Sequence, residues 1–184
     1  LKQHEEYRQV FDKIYEHLRQ EKVDFIVHTG DIAHTKTQIS PEFVEMAGDF
    51  FMNLASIAPT HIILGNHDGN LKNVDRQDAI SPIVEAIKRP EIKLLKDSGE
   101  CHIDDKFCLN VLSIFDRDNW IKPTNPDKIN IALYHGAIQG SKTDSGWAMK
   151  NTDDNLSIFD DFDYGFLGDI HKQQFLNDKV AYCG

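Results

Sequence analysis

The sequence has only three cysteines, Cys101, Cys108 and Cys183, an odd number with no Cys-x-x-Cys pair. That argues against a disulfide framework or a structural zinc knuckle, and a reducing, cytoplasmic setting is expected. Long apolar runs are also absent: none approaches the roughly 20 residues of a membrane span, and Leu1-Lys2-Gln3-His4 does not open a signal peptide. Basic residues are scarce, with 20 Lys and Arg against 30 Asp and Glu and a net charge of −10. A protein that grips nucleic acid mainly by counterion release is normally basic, so a simple DNA-coating module is disfavoured. Bound divalent cations would alter that balance, because they become the largest local positive charges. A phosphate-bearing substrate therefore stays open where metal mediates the contact. There is no internal repeat, low-complexity tract or linker, and the start at Leu1 suggests a fragment trimmed upstream.

What is present is the material of one domain: 184 residues, 40% hydrophobic, enough for a single core and too few for two. Residues 4–21 place Tyr7, Val10, Phe11, Ile14 and Leu18 at helical spacing, which predicts a helix packed on a sheet. Val23 to His28 reads as a strand. Ser40-Pro41-Glu42 opens a helix, with Ser as N-cap and Pro in the first turn. That helix should turn Phe43, Val44, Ala47, Phe50, Phe51 and Leu54 inward. His61 to Leu64 reads as a strand, and Asp78 to Lys88 as a helix stopped by Pro90. Beyond Pro90 the runs Ile92–Leu95, Cys101–Ile103, Phe107–Ile114 and Ile129–Tyr134 are short and β-like. An alternating first half and a strand-rich second half predict a mixed sheet, or two packed sheets, with helices outside.

Four polar clusters carry the chemistry: Gly30-Asp31-Ile32-Ala33-His34, Gly65-Asn66-His67-Asp68, Tyr134-His135-Gly136 and Gly168-Asp169-Ile170-His171. Each follows an apolar run that reads as a buried strand, so Asp, Asn and His side chains leave one sheet edge together. Any one cluster alone is ordinary: a Gly-Asp after a strand is usually a turn, and a lone buried histidine is usually a satisfied core residue. Four in order are not. Carboxylate, amide oxygen and imidazole together suit Mn²⁺, Fe²⁺ or Zn²⁺ better than Ca²⁺. A carboxylate can bridge two cations, and two cations about 3.5–4 Å apart clamp the attacking and leaving oxygens of a phosphoryl displacement. Residues 138–157, polar and directly after His135, are the best candidate for a mobile loop over such a site.

These clusters resemble the calcineurin-like metallophosphoesterases, whose blocks run Asp-x-His, Gly-Asp-x-x, Gly-Asn-His-Asp/Glu, His and Gly-His-x-His. Four of the five blocks lie in order across nearly the whole chain. The likeness is greatest to DNA-repair nucleases of the SbcD and meiotic-recombination-eleven type. It rests on His34, three positions after Asp31, on Lys36 to Pro41, on Asp78-Ala79-Ile80-Ser81-Pro82 and on Gly168 to Gln173. The resemblance implies one domain over 1–184, an α/β four-layer αββα sandwich of two mixed sheets flanked by helices, with its first strand missing. It implies two divalent metal ions, Mn²⁺ first and Mg²⁺, Fe²⁺ or Zn²⁺ as alternatives. Asp31 would bridge them, Asn66, His135 and Asp169 would complete one, and His171 would serve the other. His67 would act as the acid on the leaving oxygen, His34 would assist near the scissile phosphate, and Asp68 would orient His67. His4, His17, His28, His61 and His102 match no motif and are read as structural or surface residues.

Two departures stand out. The Asp-x-His block is absent, and Asp169 stands where the family usually has His, which favours harder ions such as Mn²⁺. The implied function is a metal-dependent DNA exo- or endonuclease of repair or recombination, acting on DNA with an SbcC-type ABC ATPase, as a homodimer and with no membrane. A phosphoesterase of cyclic nucleotides or phosphoproteins is the enzymatic alternative, and a catalytically incomplete binding module is the other.

Overall fold

The computed structural model describes residues 2–34 and 39–184. Thr35 to Gln38, and with them part of the Lys36–Pro41 segment, lie outside the described residues. The first half alternates as its periodicity predicts. Helix α1 (Lys2–Glu21) leads to β1 (Ile26–His28), then α2 (Pro41–Ala55), β2 (Thr60–Ile63), α3 (Ser81–Ile87) and β3 (Ile92–Leu95). Helix α2 starts where Ser40 places it: the Ser40 hydroxyl accepts the Phe43 amide at 3.1 Å, with Pro41 in the first turn. The three strands pair in parallel in the order β1-β2-β3.

The second half supplies β4 (Gly99–His102), β5 (Phe107–Leu112), β6 (Ile129–His135), β7 (Tyr164–Gly168), β8 (Gln174–Phe175) and β9 (Val180–Tyr182). They form one sheet in the order β4-β5-β6-β7-β9-β8. Its inner four strands are parallel and its two edge strands antiparallel.

Strand periodicity explains how the layers stack. Ile26, Ile62 and Ile92 face the helices, against Phe50, Phe51 and Leu54 of α2. Val27, Ile63 and Leu95 point the other way and meet Leu109, Val111, Ile131 and Leu133 of the second sheet. The outer face of that sheet, with Tyr134, Leu167, Val180 and Tyr182, is covered by Ile138, Phe159 and Phe162. The architecture is the expected α/β sandwich of two sheets. It has two refinements: the described strands of the first sheet are all parallel, and the outer layer over the second holds 3-10 turns (Arg117–Asn119, Leu156–Phe159) instead of an α-helix.

Three local expectations need correcting. Helix α1 buries Tyr15 and turns Phe11 and Leu18 inward, leaving Tyr7, Val10 and Ile14 exposed. Its stripe is set by two aromatic contacts with Phe50, at 4.5 Å from Phe11 and 6.0 Å from Tyr15. Val44 of α2 is likewise exposed. Helix α3 begins at Ser81, not Asp78, because the Asp78 carboxylate accepts the Ile80 and Ser81 amides at 2.9 and 2.6 Å and thereby caps the helix from outside. The Lys96 ammonium lies 2.8 Å from the same carboxylate. The β8–β9 pair had no sequence signal strong enough to announce it, being two and three residues long.

Candidate metal centre

Parallel pairing within each sheet puts the C-terminal ends of β1, β2, β6 and β7 at one edge, and the four polar clusters leave from those ends. His135, the last residue of β6 and 1% exposed, is at the middle. Its Nδ1 lies 2.7 Å from the Thr29 carbonyl, which can only accept, so Nδ1 carries a hydrogen and donates it. Nε2 then faces three oxygens: Asn66 Oδ1 at 3.0 Å, Asp31 Oδ2 at 3.2 Å and Asp169 Oδ1 at 3.9 Å. Two chemistries satisfy that arrangement: a second proton on His135, or a cation shared by the four atoms. Asp31, His135 and Asp169 each offer a ligand atom within 4.8 Å of the others, and a mixed carboxylate–imidazole–amide set fits a divalent transition ion.

The electrostatics follow from that crowding. Burial works against charge on His135, but the adjacent Asp31 carboxylate outweighs it and the pKa of His135 is raised. Burial likewise pushes Asp31 up, and its bonds to His135 and to the His67 amide more than reverse this, so its pKa is lowered. Asp169 has no such donor among the described residues, and burial raises its pKa. The site holds more negative charge than its own protons balance comfortably.

The backbone is strained to make it. Asp31 and Asp169 both occupy left-handed conformations, φ 58° and 89°, which cost an ordinary residue about 1–2 kcal/mol. Asp68 holds Asp31 there. Fully buried, its carboxylate accepts the amides of Asp31 (2.8 Å), Ala33 (2.8 Å) and Gly65 (2.9 Å), tying the β1 loop to the β2 loop. Close approach also requires two glycines. A Cβ on Gly65 would strike Asp31 Oδ1 and lie 2.6 Å from His135 Cε1; one on Gly168 would strike the Thr29 carbonyl and lie 2.8 Å from His135 Nδ1.

His67 and His34 stand beside this cluster, both exposed, their rings nearly parallel at 10° with centroids 6.2 Å apart. His67 Nδ1 donates to the His34 carbonyl at 2.8 Å, and the His67 amide donates to Asp31 Oδ1 at 2.9 Å. The expectation that Asp68 orients His67 is therefore corrected: Asp68 spends its oxygens on backbone amides, and the His34 carbonyl sets the His67 ring. His171 follows Asp169 by two residues but is exposed, outside the converging set among the described residues. His28 stays neutral: burial pushes its pKa down to about 4, and its Nδ1 accepts the Gly30 amide at 3.2 Å.

A second trio, Glu100, His102 and Cys108, also comes within 4.8 Å across β4 and β5. Here donors already stand against two of the three ligands. Glu100 accepts from the Thr124 amide (2.6 Å) and hydroxyl (2.7 Å), and the Lys128 ammonium lies 3.5 Å from His102 Nδ1.

A cavity of about 550 Å³ opens on Asn66, His135 and Asp169. Met149 and residues 151–154 of the segment expected over the site do line it. Arg117 and Tyr134 line it as well, and the sequence reading gave no role to either of them or to Asp154. Arg117 Nη1 donates to Asp154 Oδ1 at 3.0 Å and lies 2.8 Å from Oδ2, which also accepts from the Tyr134 hydroxyl at 2.6 Å. Partners 20 and 37 residues apart leave no local pattern to read.

Comparison with known proteins accords with this geometry. The family model described as calcineurin-like phosphoesterase matches residues 2–175. The chain belongs to the calcineurin-like phosphoesterases. That family is one of phosphoester hydrolases that use divalent metals. A curated relative, an uncharacterized protein of Acanthamoeba polyphaga mimivirus, is 40% identical over 200 residues, covering 100% of this chain and 15% of the viral protein. The chain thus spans about 15% of the length of that relative. No helix among the described residues is long and apolar enough to cross a membrane.

Proposed function

We propose that this phosphoesterase is the catalytic region of a metal-dependent DNA nuclease. The observation that carries the reading is the pairing of two features: the Asp31–Asn66–His135–Asp169 cluster, and a His67 ring that is held by the His34 carbonyl and tied to the cluster through the His67 amide on Asp31. Asn66, His135, Asp169 and Asp31 would hold one ion, and Asp31 with His171 a second. Mn²⁺ is the first choice, given three oxygen donors around one imidazole. When bound, such ions polarise the phosphoryl oxygens and lower the pKa of water towards neutrality.

The chain's own residues do the rest. Asp31 positions the His67 backbone through Oδ1, so acid and metal ligand are fixed relative to one another. Because His67 Nδ1 is committed to the His34 carbonyl, only Nε2 is left to carry a proton to the departing oxygen. The His34 ring, stacked alongside, supplies a second donor for a phosphate oxygen. Action on DNA, a homodimer and an SbcC-type ATPase partner are proposals drawn from the likeness to SbcD-type nucleases.

The test is hydrolysis of bis(p-nitrophenyl) phosphate and of a single-stranded oligonucleotide in Mn²⁺. His67→Ala should lower both rates about 10²-fold or more, as loss of a general acid does. Turnover of phosphomonoesters or cyclic nucleotides with no attack on DNA would replace the nuclease reading with a small-substrate phosphoesterase. The net charge of −10 is the observation that favours this second reading.

A further inference from the structure

The cavity beside the metal cluster has a second feature that phosphoester hydrolysis alone does not explain. Arg117 is, apart from His135, the one basic side chain among the described residues that line it. It is held unusually firmly for a residue whose side chain is 41% exposed. Nη1 grips both oxygens of Asp154. The guanidinium carbon lies 5.1 Å from the centre of the Trp120 ring, and Trp120 Nε1 is tied to the Ser113 carbonyl at 2.8 Å. Asp154 is fixed in turn by the Tyr134 hydroxyl. Its carbonyl also accepts from the Gln139 amide at 3.1 Å and the Thr152 hydroxyl at 2.8 Å.

What this leaves over is the opposite edge of the fork. Nε and Nη2 have no hydrogen-bond partner among the described residues, and that edge presents two parallel N–H groups of the kind that match a phosphate. Because the guanidinium is already immobilised, little side-chain freedom is lost when an anion binds. The cavity volume of about 550 Å³ suits a ligand of nucleotide size, and Leu71, Ile114 and Met149 give it an apolar wall for a base or sugar.

We infer that Arg117 is a specificity-determining residue that holds a second phosphate of the substrate while the scissile phosphate lies at the Asp31–His135–Asp169 cluster. The inference rests on the phosphodiesterase reading and deepens it: the substrate class is a nucleotide chain carrying phosphates on both sides of a sugar. Asp154 and Tyr134 are positioning residues that aim the guanidinium.

The experiment is calorimetric titration of the chain in Mn²⁺ with thymidine 3′,5′-bisphosphate and with thymidine 5′-monophosphate. The wild type should favour the bisphosphate by about tenfold, the scale of one charge-assisted bidentate contact. Arg117→Gln should lose about tenfold more affinity for the bisphosphate than for the monophosphate, and Arg117→Lys should recover part of the preference. Where Arg117→Gln fails to fold, the partial preference of Arg117→Lys carries the test. Equal binding of the two nucleotides by the wild type would overturn the inference, as would a preference that survives in Arg117→Gln or equal losses for both ligands. The broader reading is checked separately: a wild type that hydrolyses no bis(p-nitrophenyl) phosphate defeats the nuclease proposal, and the titration still decides what Arg117 does.

Discussion

Among the described residues two trios of potential metal ligands lie on this sandwich, and physical grounds favour one of them as the place for a cation. Asp31, His135 and Asp169 aim three oxygens, with Asn66 included, at one imidazole nitrogen. Glu100, His102 and Cys108 are as close together, yet Thr124 already feeds hydrogen bonds to Glu100 and the Lys128 ammonium sits against His102. Each trio offers an imidazole and at least one carboxylate, and proximity is equal in the two. What differs is how far donors already occupy the lone pairs. The first trio is also maintained at a cost, with two carboxylates on left-handed backbone, whereas the second lies on ordinary antiparallel strands.

The sharpest way to break this comparison is to remove the shared carboxylate. Asp31→Ala should abolish Mn²⁺ binding by calorimetry and lower diester hydrolysis about 10³-fold or more, because the metal-activated water is lost with it. Retained metal stoichiometry in that variant would mean that the cation binds elsewhere.

Next in size is the scaffold that sets the first trio apart. Asp68→Ala leaves three amides of the β1 and β2 loops without their acceptor, and with the carboxylate fully buried the expected loss is about 3 kcal/mol in urea unfolding. Asp68→Asn keeps an acceptor but forces one N–H against a backbone donor, so it should fall between. A loss under about 0.5 kcal/mol for Asp68→Ala would contradict the stapling role.

These residues also mark where sequence reading stops. The Asp31, Asn66, His135 and Asp169 positions were legible because each sits directly after an apolar run, and a strand end fixes where a loop begins. The Ser40 cap was legible because its partner, the Phe43 amide, is three residues away, and the strands were legible as short apolar runs between turns. Asp68 looked like a neighbour of His67 because it is adjacent in sequence, while its real partners are amides as many as 37 residues earlier. The inward stripe of α1 was misjudged because Tyr7, Val10 and Ile14 satisfy helical spacing as well as Tyr15 does; only Phe50 decides between them. Arg117 and Asp154 were invisible because an ion pair across 37 residues leaves no periodicity.

A subtler contrast lies between two histidines at the same end of the sandwich, one on each sheet. His135 is held among carboxylates and favours its charged form; His28, against Phe50 and donated to by Gly30, has its pKa pushed down to about 4. The unfolded chain takes up a proton at His28 near its ordinary value of 6.5, while the folded chain does not until about 4. Stability contributed by the neutral ring is therefore present above pH 6.5 and drains away as pH falls towards 4, by about 1.4 kcal/mol per unit. His28→Asn, whose side-chain oxygen can still accept from Gly30, should flatten that part of the stability–pH curve relative to the wild type. An unchanged slope would show that His28 is not the group responsible.

The smallest expected effect is the most direct check on the opening contrast. His102→Ala removes one member of the second trio at an exposed position, so folding should shift by no more than about 0.5 kcal/mol. Mn²⁺ and Zn²⁺ stoichiometry by titration should be unchanged, because the Lys128 ammonium already occupies the field that a cation would need. A stoichiometry lower by one ion in His102→Ala would show that Lys128 gives way, and that spare lone pairs are not what separates the two trios.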